Sequence, residues 1–179
     1  MKTKIQFLAL VMLWSLSLNV SAQSEEKKEK IIADSEEAKA EFIKADPDMA
    51  KQFASSYGYV IFPNVGKGGV GVGGAAGNGA AYEGGKLIGT AKLSQVSVGL
   101  QLGGQSYREV IFFENAEAMG RFKANKIEFS AQVSAVAAAS GASANAKYVE
   151  GVMVFTMQKG GVMFEASVGG QKFKFEKSK

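Results

Sequence analysis

Cysteine and histidine are both absent from the 179 residues, and proline occurs only twice. Without a thiolate or an imidazole there is no disulfide scaffold, no lipid attachment at cysteine, no thiol nucleophile, no histidine-based triad and no usual zinc, copper or haem site. Aspartate is scarce too. Asp34, Asp46 and Asp48 are the three, all ahead of Gly58, so the rest of the chain lacks an oxygen-rich loop of the kind that holds a hard metal ion. No metal and no cofactor is expected. Nor is there a strong excess of charge: 21 basic side chains face 17 acidic ones, formally +4, too little to suggest nucleic acid as a partner.

The only long apolar run, Phe7 to Leu18, is short of the roughly 20 residues that cross a bilayer. Lys2 and Lys4 precede it, and Val20 and Ala22 stand where small residues precede a cut, which is the pattern of an export signal over residues 1–22. The protein is therefore expected to be exported, to the periplasm or the exterior, and to start near Gln23 with a formal charge of +2. Glu25 to Lys30 is then a charged, mobile N-terminus, residues 23–30, ahead of a single domain over 31–179.

That domain changes character near Tyr57. All 22 glycines lie at or beyond Gly58. Over 31–56, Ile31, Ala38, Phe42 and Ala45 share one helical stripe, and Asp46-Pro47-Asp48 predicts a second helix with Asp46 as N-cap and Met49 and Phe53 facing inward. Over 57–179 the apolar period becomes two. Val96, Val98, Leu100 and Leu102 alternate with polar residues and glycine, as Phe173 and Phe175 do with Lys172, Lys174 and Glu176. Further strands are expected at 57–62, 70–76, 79–82, 87–93, 107–113, 148–157 and 162–168, with a small-residue strand from Phe129 running toward Gly141. Glycine pairs separate several of these strands, and one inserted helix is capped by Asn115. The fold class is α+β: a curled antiparallel sheet, barrel-like or sandwich-like, with N-terminal helices.

Residues 66–79 contain Gly-x-Gly-x-x-Gly twice, but no helix opens behind the glycines and no acid follows between Gly84 and Arg108. A strand with a bare face accounts for them better than a nucleotide cradle does. Glu83, Glu109, Glu114, Glu117, Glu128, Glu150 and Glu165 form no recognisable acid–base pair and read mainly as solvent-facing strand residues, so no enzyme is expected. The basic residues Lys67, Lys86, Lys92, Arg121, Lys123 and Lys126 are the candidate site: gathered on one surface they would meet anionic lipid headgroups at roughly 1 kcal/mol each.

Tyr59-Val60-Ile61-Phe62-Pro63, the glycine series from Gly66 to Gly74, Gly77-Asn78-Gly79, Gly103-Gly104-Gln105 and Lys159-Gly160-Gly161-Val162-Met163, in this order, resemble the SYLF lipid-binding domain, also described as the actin-binding module of a yeast cortical-patch protein. The resemblance covers residues 30 to 176. It implies a non-catalytic protein that docks on acidic lipids, phosphoinositides among eukaryotic relatives, with Lys67 at the family's basic loop position. The export signal argues against actin as a partner. The alternative is a periplasmic carrier or envelope-assembly protein for an apolar ligand or a protein partner.

Overall fold

The computed structural model describes residues 2–70, 72–98, 105–130, 133–159 and 168–178. Helices α1 (Lys2–Ala45) and α2 (Met49–Ser55) lead into strands β1 (Gly58–Val70), β2 (Val72–Glu83), β3 (Lys86–Val98) and β4 (Gln105–Phe113). Helix α3 (Ala116–Lys123) and strands β5 (Ala135–Ala137), β6 (Val152–Gln158) and β7 (Gln171–Lys177) follow. One seven-stranded sheet has the order β5-β6-β4-β1-β2-β3-β7. Every neighbouring pair is antiparallel except β5 with β6, so the sheet is mixed through one three-residue edge strand.

Both faces of the sheet are covered over much of its area. The alternation at the start of β1 sends Val60 and Phe62 to one face and Tyr59 and Ile61 to the other. The first face is concave and holds α3 through Met119 and Phe122, together with Phe129 and Phe173. The second packs on α1 and α2 through Ala38, Phe42, Met49 and Phe53. Lys39 reaches over this layer to Tyr59 Oη at 3.0 Å, its ammonium lying above the Phe53 and Tyr59 rings.

The curl starts at Pro63. β1 lies between β4 and β2, where a residue without an N–H interrupts the ladder, and the pairing shifts register between Ile61 and Asn64 toward β2 and between Phe62 and Val65 toward β4. Such a bulge bends the strand. Opposite it, β2 carries Gly77 and Gly79. A Cβ on Gly79 would stand 2.2 Å from the Ile61 carbonyl oxygen, and one on Gly77 would stand 2.9 Å from that of Asn64. By contrast, a Cβ at Gly66 or Gly68 would meet nothing within 4 Å. The bare-strand reading of the glycine segment therefore holds at its β2 end, not along its whole length.

Other expectations are altered in detail. The expected strands 70–76 and 79–82 merge into β2 from Val72 onward, with Val70 ending β1, and 87–93 joins the start of the 96–102 run in β3. The part of that run beyond Val98, the motif residues Gly103-Gly104 and Gly160-Gly161, and residues 162–167 of the expected strand lie outside the described residues. Asn115 caps α3 as expected, its Oδ1 accepting from Ala118 N at 3.0 Å. Asp46 does not cap α2, which starts at Met49 with Asp48 at its cap. Instead the buried Asp46 carboxylate accepts from the backbone N–H groups of Asp48, Gly141 and Ser143, at 3.2, 3.2 and 2.8 Å. It thereby ties the alanine-rich loop to the helical lead. Burial pushes its carboxyl upward, but these hydrogen bonds outweigh that and leave it below the usual value.

Of the small-residue strand expected from Phe129, only Ala135–Ala137 is a strand among the described residues. Phe129 instead exchanges backbone hydrogen bonds beside β7, donating to the Gln171 carbonyl (3.1 Å) and accepting from Gly170 N (2.8 Å). Its ring sits 4.9 Å from that of Phe173 in the core. Residues 24–30 continue α1, exposed or half-exposed, with Lys28 paired to Glu25 and Lys30 to Asp34.

Gly79→Ala is expected to destabilise the fold by about 1–3 kcal/mol or more, because the new methyl group meets backbone that cannot rotate away. Gly66→Ala is expected to change stability by under about 0.5 kcal/mol. Urea denaturation of the two variants checks the contrast, and equal losses would refute the role given to the bulge.

Candidate functional site

On β7 the period of two sends Gln171, Phe173 and Phe175 toward the concave side and Lys172, Lys174 and Glu176 to the opposite one. The pairing with β3 then sets the neighbours: Lys174 stands opposite Lys92, Lys172 opposite Ser94, and Glu176 opposite Thr90. Across the sheet, Lys92 pairs with Asn78 and Asn78 with Asn64. One row of the helix-side face therefore reads Asn64, Asn78, Lys92, Lys174, flanked by Ser94 and Lys172. These six side chains line an open groove of about 550 Å³. A smaller recess of about 190 Å³ adjoins it, sharing Asn78 and Lys92 and including Lys27 and Lys28 of α1.

The lysines of the groove have acidic partners, none of them tight in an electrostatic sense. Lys92 contacts Glu176 at 2.8 Å and Lys174 the same carboxylate at 3.6 Å, while Lys172 contacts Glu128 at 3.4 Å. The three lysine side chains remain 55–68% exposed. The hydrogen bond from Lys92, aided by its charge and that of Lys174, holds the Glu176 carboxyl below its usual value despite some burial. Exposed pairs of this kind contribute about 0–1 kcal/mol each, so an anion entering the groove can replace the carboxylates at little cost. Donors dominate: three ammonium groups stand beside the amides of Asn64 and Asn78 and the hydroxyl of Ser94. Such a set suits phosphate or carboxylate oxygens and offers no nucleophile with a base beside it.

The six basic residues marked in the sequence do not converge. Lys92 lies in the groove. Lys67 lies on the concave side, opposite Ala75, and is half-buried. Lys86 is exposed at the β2–β3 turn, where its register partner Glu83 forms an ion pair with Lys123 at 2.8 Å. Arg121 donates to the Glu150 carbonyl at 2.6 Å and, with Lys126, borders a depression of about 30 Å³ shared with Glu128 and Glu150. Lys172 and Lys174 were missed as site residues. Their alternation with phenylalanine marked a common face, but nothing in the sequence stated that this face adjoins Lys92.

Of the glutamates considered for catalysis, Glu109 alone is buried among the described residues, facing the concave interior. Glu165 lies outside them. Its neighbours are described further below.

Residues 94–179 match the Ysc84 family model, described as "Las17-binding protein actin regulator". The C-terminal part of the chain, which includes β4 to β7, is thus similar to the SYLF family. "Beta cell expansion factor A" of Aeromonas veronii is 27% identical over 86 residues, which make up 48% of this chain and 33% of that protein. The match thus spans about a third of the relative's length.

Glu176→Gln is expected to leave the unfolding free energy within about 0.5 kcal/mol of the parent, since it removes only exposed pairs. It should also strengthen low-salt retention on phosphocellulose by freeing Lys92 and Lys174. A loss above about 1 kcal/mol would show that the pairs hold the sheet together instead.

Proposed function

We propose that the protein is an exported, non-catalytic lipid-binding protein that docks on anionic membrane lipids, with the Lys92–Lys172–Lys174 face as its contact. The observation that carries this reading is that face: three exposed lysines from two adjacent strands, facing one groove that Asn64, Asn78 and Ser94 also line, together with Ala76, Gly77, Leu93 and Phe173. The family match supports a binding role in general. The pattern of residues 1–22 supports export, to the periplasm or beyond, where bilayer lipid is a more accessible partner than actin. Lys67, Lys86, Arg121, Lys123 and Lys126 stay outside the primary contact because they lie elsewhere or are engaged with Glu83 or the Glu150 carbonyl.

The carrier alternative has less behind it. The concave interior that would hold an apolar ligand is occupied by Phe173 and, around it, Phe62, Phe122 and Phe129, whose rings stand 5.9, 6.2 and 4.9 Å from that of Phe173.

Co-sedimentation with vesicles of phosphatidylcholine, with and without phosphatidylglycerol, tests the proposal. Binding is expected only to the anionic vesicles and is expected to weaken steeply with salt. At roughly 1 kcal/mol per lysine, combined Lys92→Gln, Lys172→Gln and Lys174→Gln should lower affinity by about 100-fold. Lys67→Gln should have the smaller effect. Equal pelleting with neutral vesicles, or an unchanged triple variant, would overturn the assignment.

A further inference from the structure

The concave side of β7 holds a polar contact that the lipid-docking face does not use. Glu109 on β4 and Gln171 on β7 are both fully buried, although β1, β2 and β3 separate their strands in the sheet. The curl brings them together: Gln171 Nε2 donates to Glu109 Oε2 at 2.9 Å and, at 3.5 Å, to Tyr107 Oη. The other carboxyl oxygen, Glu109 Oε1, and the amide oxygen, Gln171 Oε1, are buried with no hydrogen-bond donor. Two orphaned acceptors in one buried contact are costly, since each has given up its water without a replacement donor. A single proton removes the difficulty. A neutral carboxylic acid has one O–H donor, and facing a primary amide it both donates to the amide oxygen and accepts from the amide nitrogen.

We infer that Glu109 is a neutral acid in the folded protein, paired with Gln171 as an acid–amide couple, and that this couple locks β7 with its lysines onto the rest of the sheet. The surroundings agree. Across the ladders Glu109 faces Phe62 of β1 and Thr156 of β6, both uncharged. Phe173 of β7 and Phe129 and Val133, from the segment between α3 and β5, belong to the same core. The titratable neighbour is Tyr107 on its own strand, which burial keeps protonated. Lys67 points to this face two positions beyond the Tyr107 partner Val65 and is half-exposed. Burial pushes the Glu109 carboxyl up to about 8, with the Gln171 hydrogen bond opposing the shift.

The direction of the pH effect follows. Between the ordinary carboxyl value of 4.5 and about 8, the folded chain holds a proton that the unfolded chain has released. Stability therefore falls as pH rises through this window, with no contribution to the slope below or above it. Ionisation leaves a buried charge against the Gln171 oxygen and loosens the strand that carries Lys172 and Lys174. The regulatory part of the inference rests on the lipid-docking reading, whereas the acid–amide couple does not.

The test uses the full chain and Glu109→Gln, in which an amide–amide pair keeps the contact without a titrating proton. Infrared spectra at pH 6.5 should show a protonated carboxylic acid band that is lost in the variant and disappears in the parent as pH passes about 8. The parent's unfolding midpoint should fall from pH 5 to pH 8, and the variant should lack that share of the fall. Absence of the acid band at pH 6.5 would overturn the couple, even if the variant failed to fold. Binding to phosphatidylglycerol vesicles should weaken more between pH 6.5 and pH 9 in the parent than in the variant. An equal loss in both would overturn the regulation. Absence of binding by either at pH 6.5 would overturn lipid docking, and the infrared result would still decide the couple.

Discussion

A proline in an interior strand is the constraint on which the remaining structure depends. Pro63 can give no hydrogen bond to either neighbour, so β1 bulges against both β2 and β4 and bends there. The bend is sustainable only because β2 presents Gly77 and Gly79 at the point of closest approach. Two consequences follow on opposite faces. On the inside, the curl brings β4 near β7 across three intervening strands and lets the phenylalanines of β1, α3 and β7 meet. On the outside, the same stretch of sheet presents Asn64, Asn78 and Lys92 side by side, and there the groove opens.

β7 joins these two consequences in seven residues. Its alternate positions are Gln171, Phe173 and Phe175 inward and Lys172, Lys174 and Glu176 outward, so the strand that closes the core also presents the charges. It is paired on one side by β3, and at its start Phe129 and the Glu128–Lys172 bridge cover the other side. Gln95 on β3 adds a side-chain hydrogen bond to the Gly169 carbonyl (2.8 Å) just before the strand begins. A close approach recurs farther along, where a Cβ on Gly89 would stand 2.3 Å from the Glu176 carbonyl oxygen. The position of the lysines is thus fixed by backbone contacts and core packing rather than by their own ion pairs.

Much of the fold was legible locally. The change of apolar period near Tyr57, the Asn115 cap and the inward Met49 and Phe53 each follow from interactions within a few residues, and the structure keeps all three. The parts that were not legible depend on strand order. Whether Lys92 stands beside Lys174 or beside Lys67 is decided by which strand pairs with β3, and no local pattern encodes that. The same reason hid Glu109. Its flanking residues Arg108 and Val110 resemble those of any half-exposed strand, and only the arrival of Gln171 from 62 residues away makes it an interior group. Asp46 was read as a cap for the nearest helix because Asp-Pro favours that role, yet Gly141 and Ser143, distant in sequence, supply two of its three donors.

The separation of charge on the two sides of β7 has an energetic logic. A lysine in the groove retains most of its hydration, so its ion pair is weak, sensitive to salt and readily exchanged for another anion. Inside, the cost of desolvating a carboxylate exceeds anything one amide returns, and the economical state is the neutral acid. Ionic strength therefore acts on the outer face and proton activity on the inner one, through residues as close in sequence as Gln171 and Lys172. If both functions were placed on the outer face, titration near neutrality would be lost, since an exposed carboxylate among lysines is driven further below its usual value, as Glu176 is. Burial at the far side of the same strand is what leaves Glu109 a proton to lose under mild conditions.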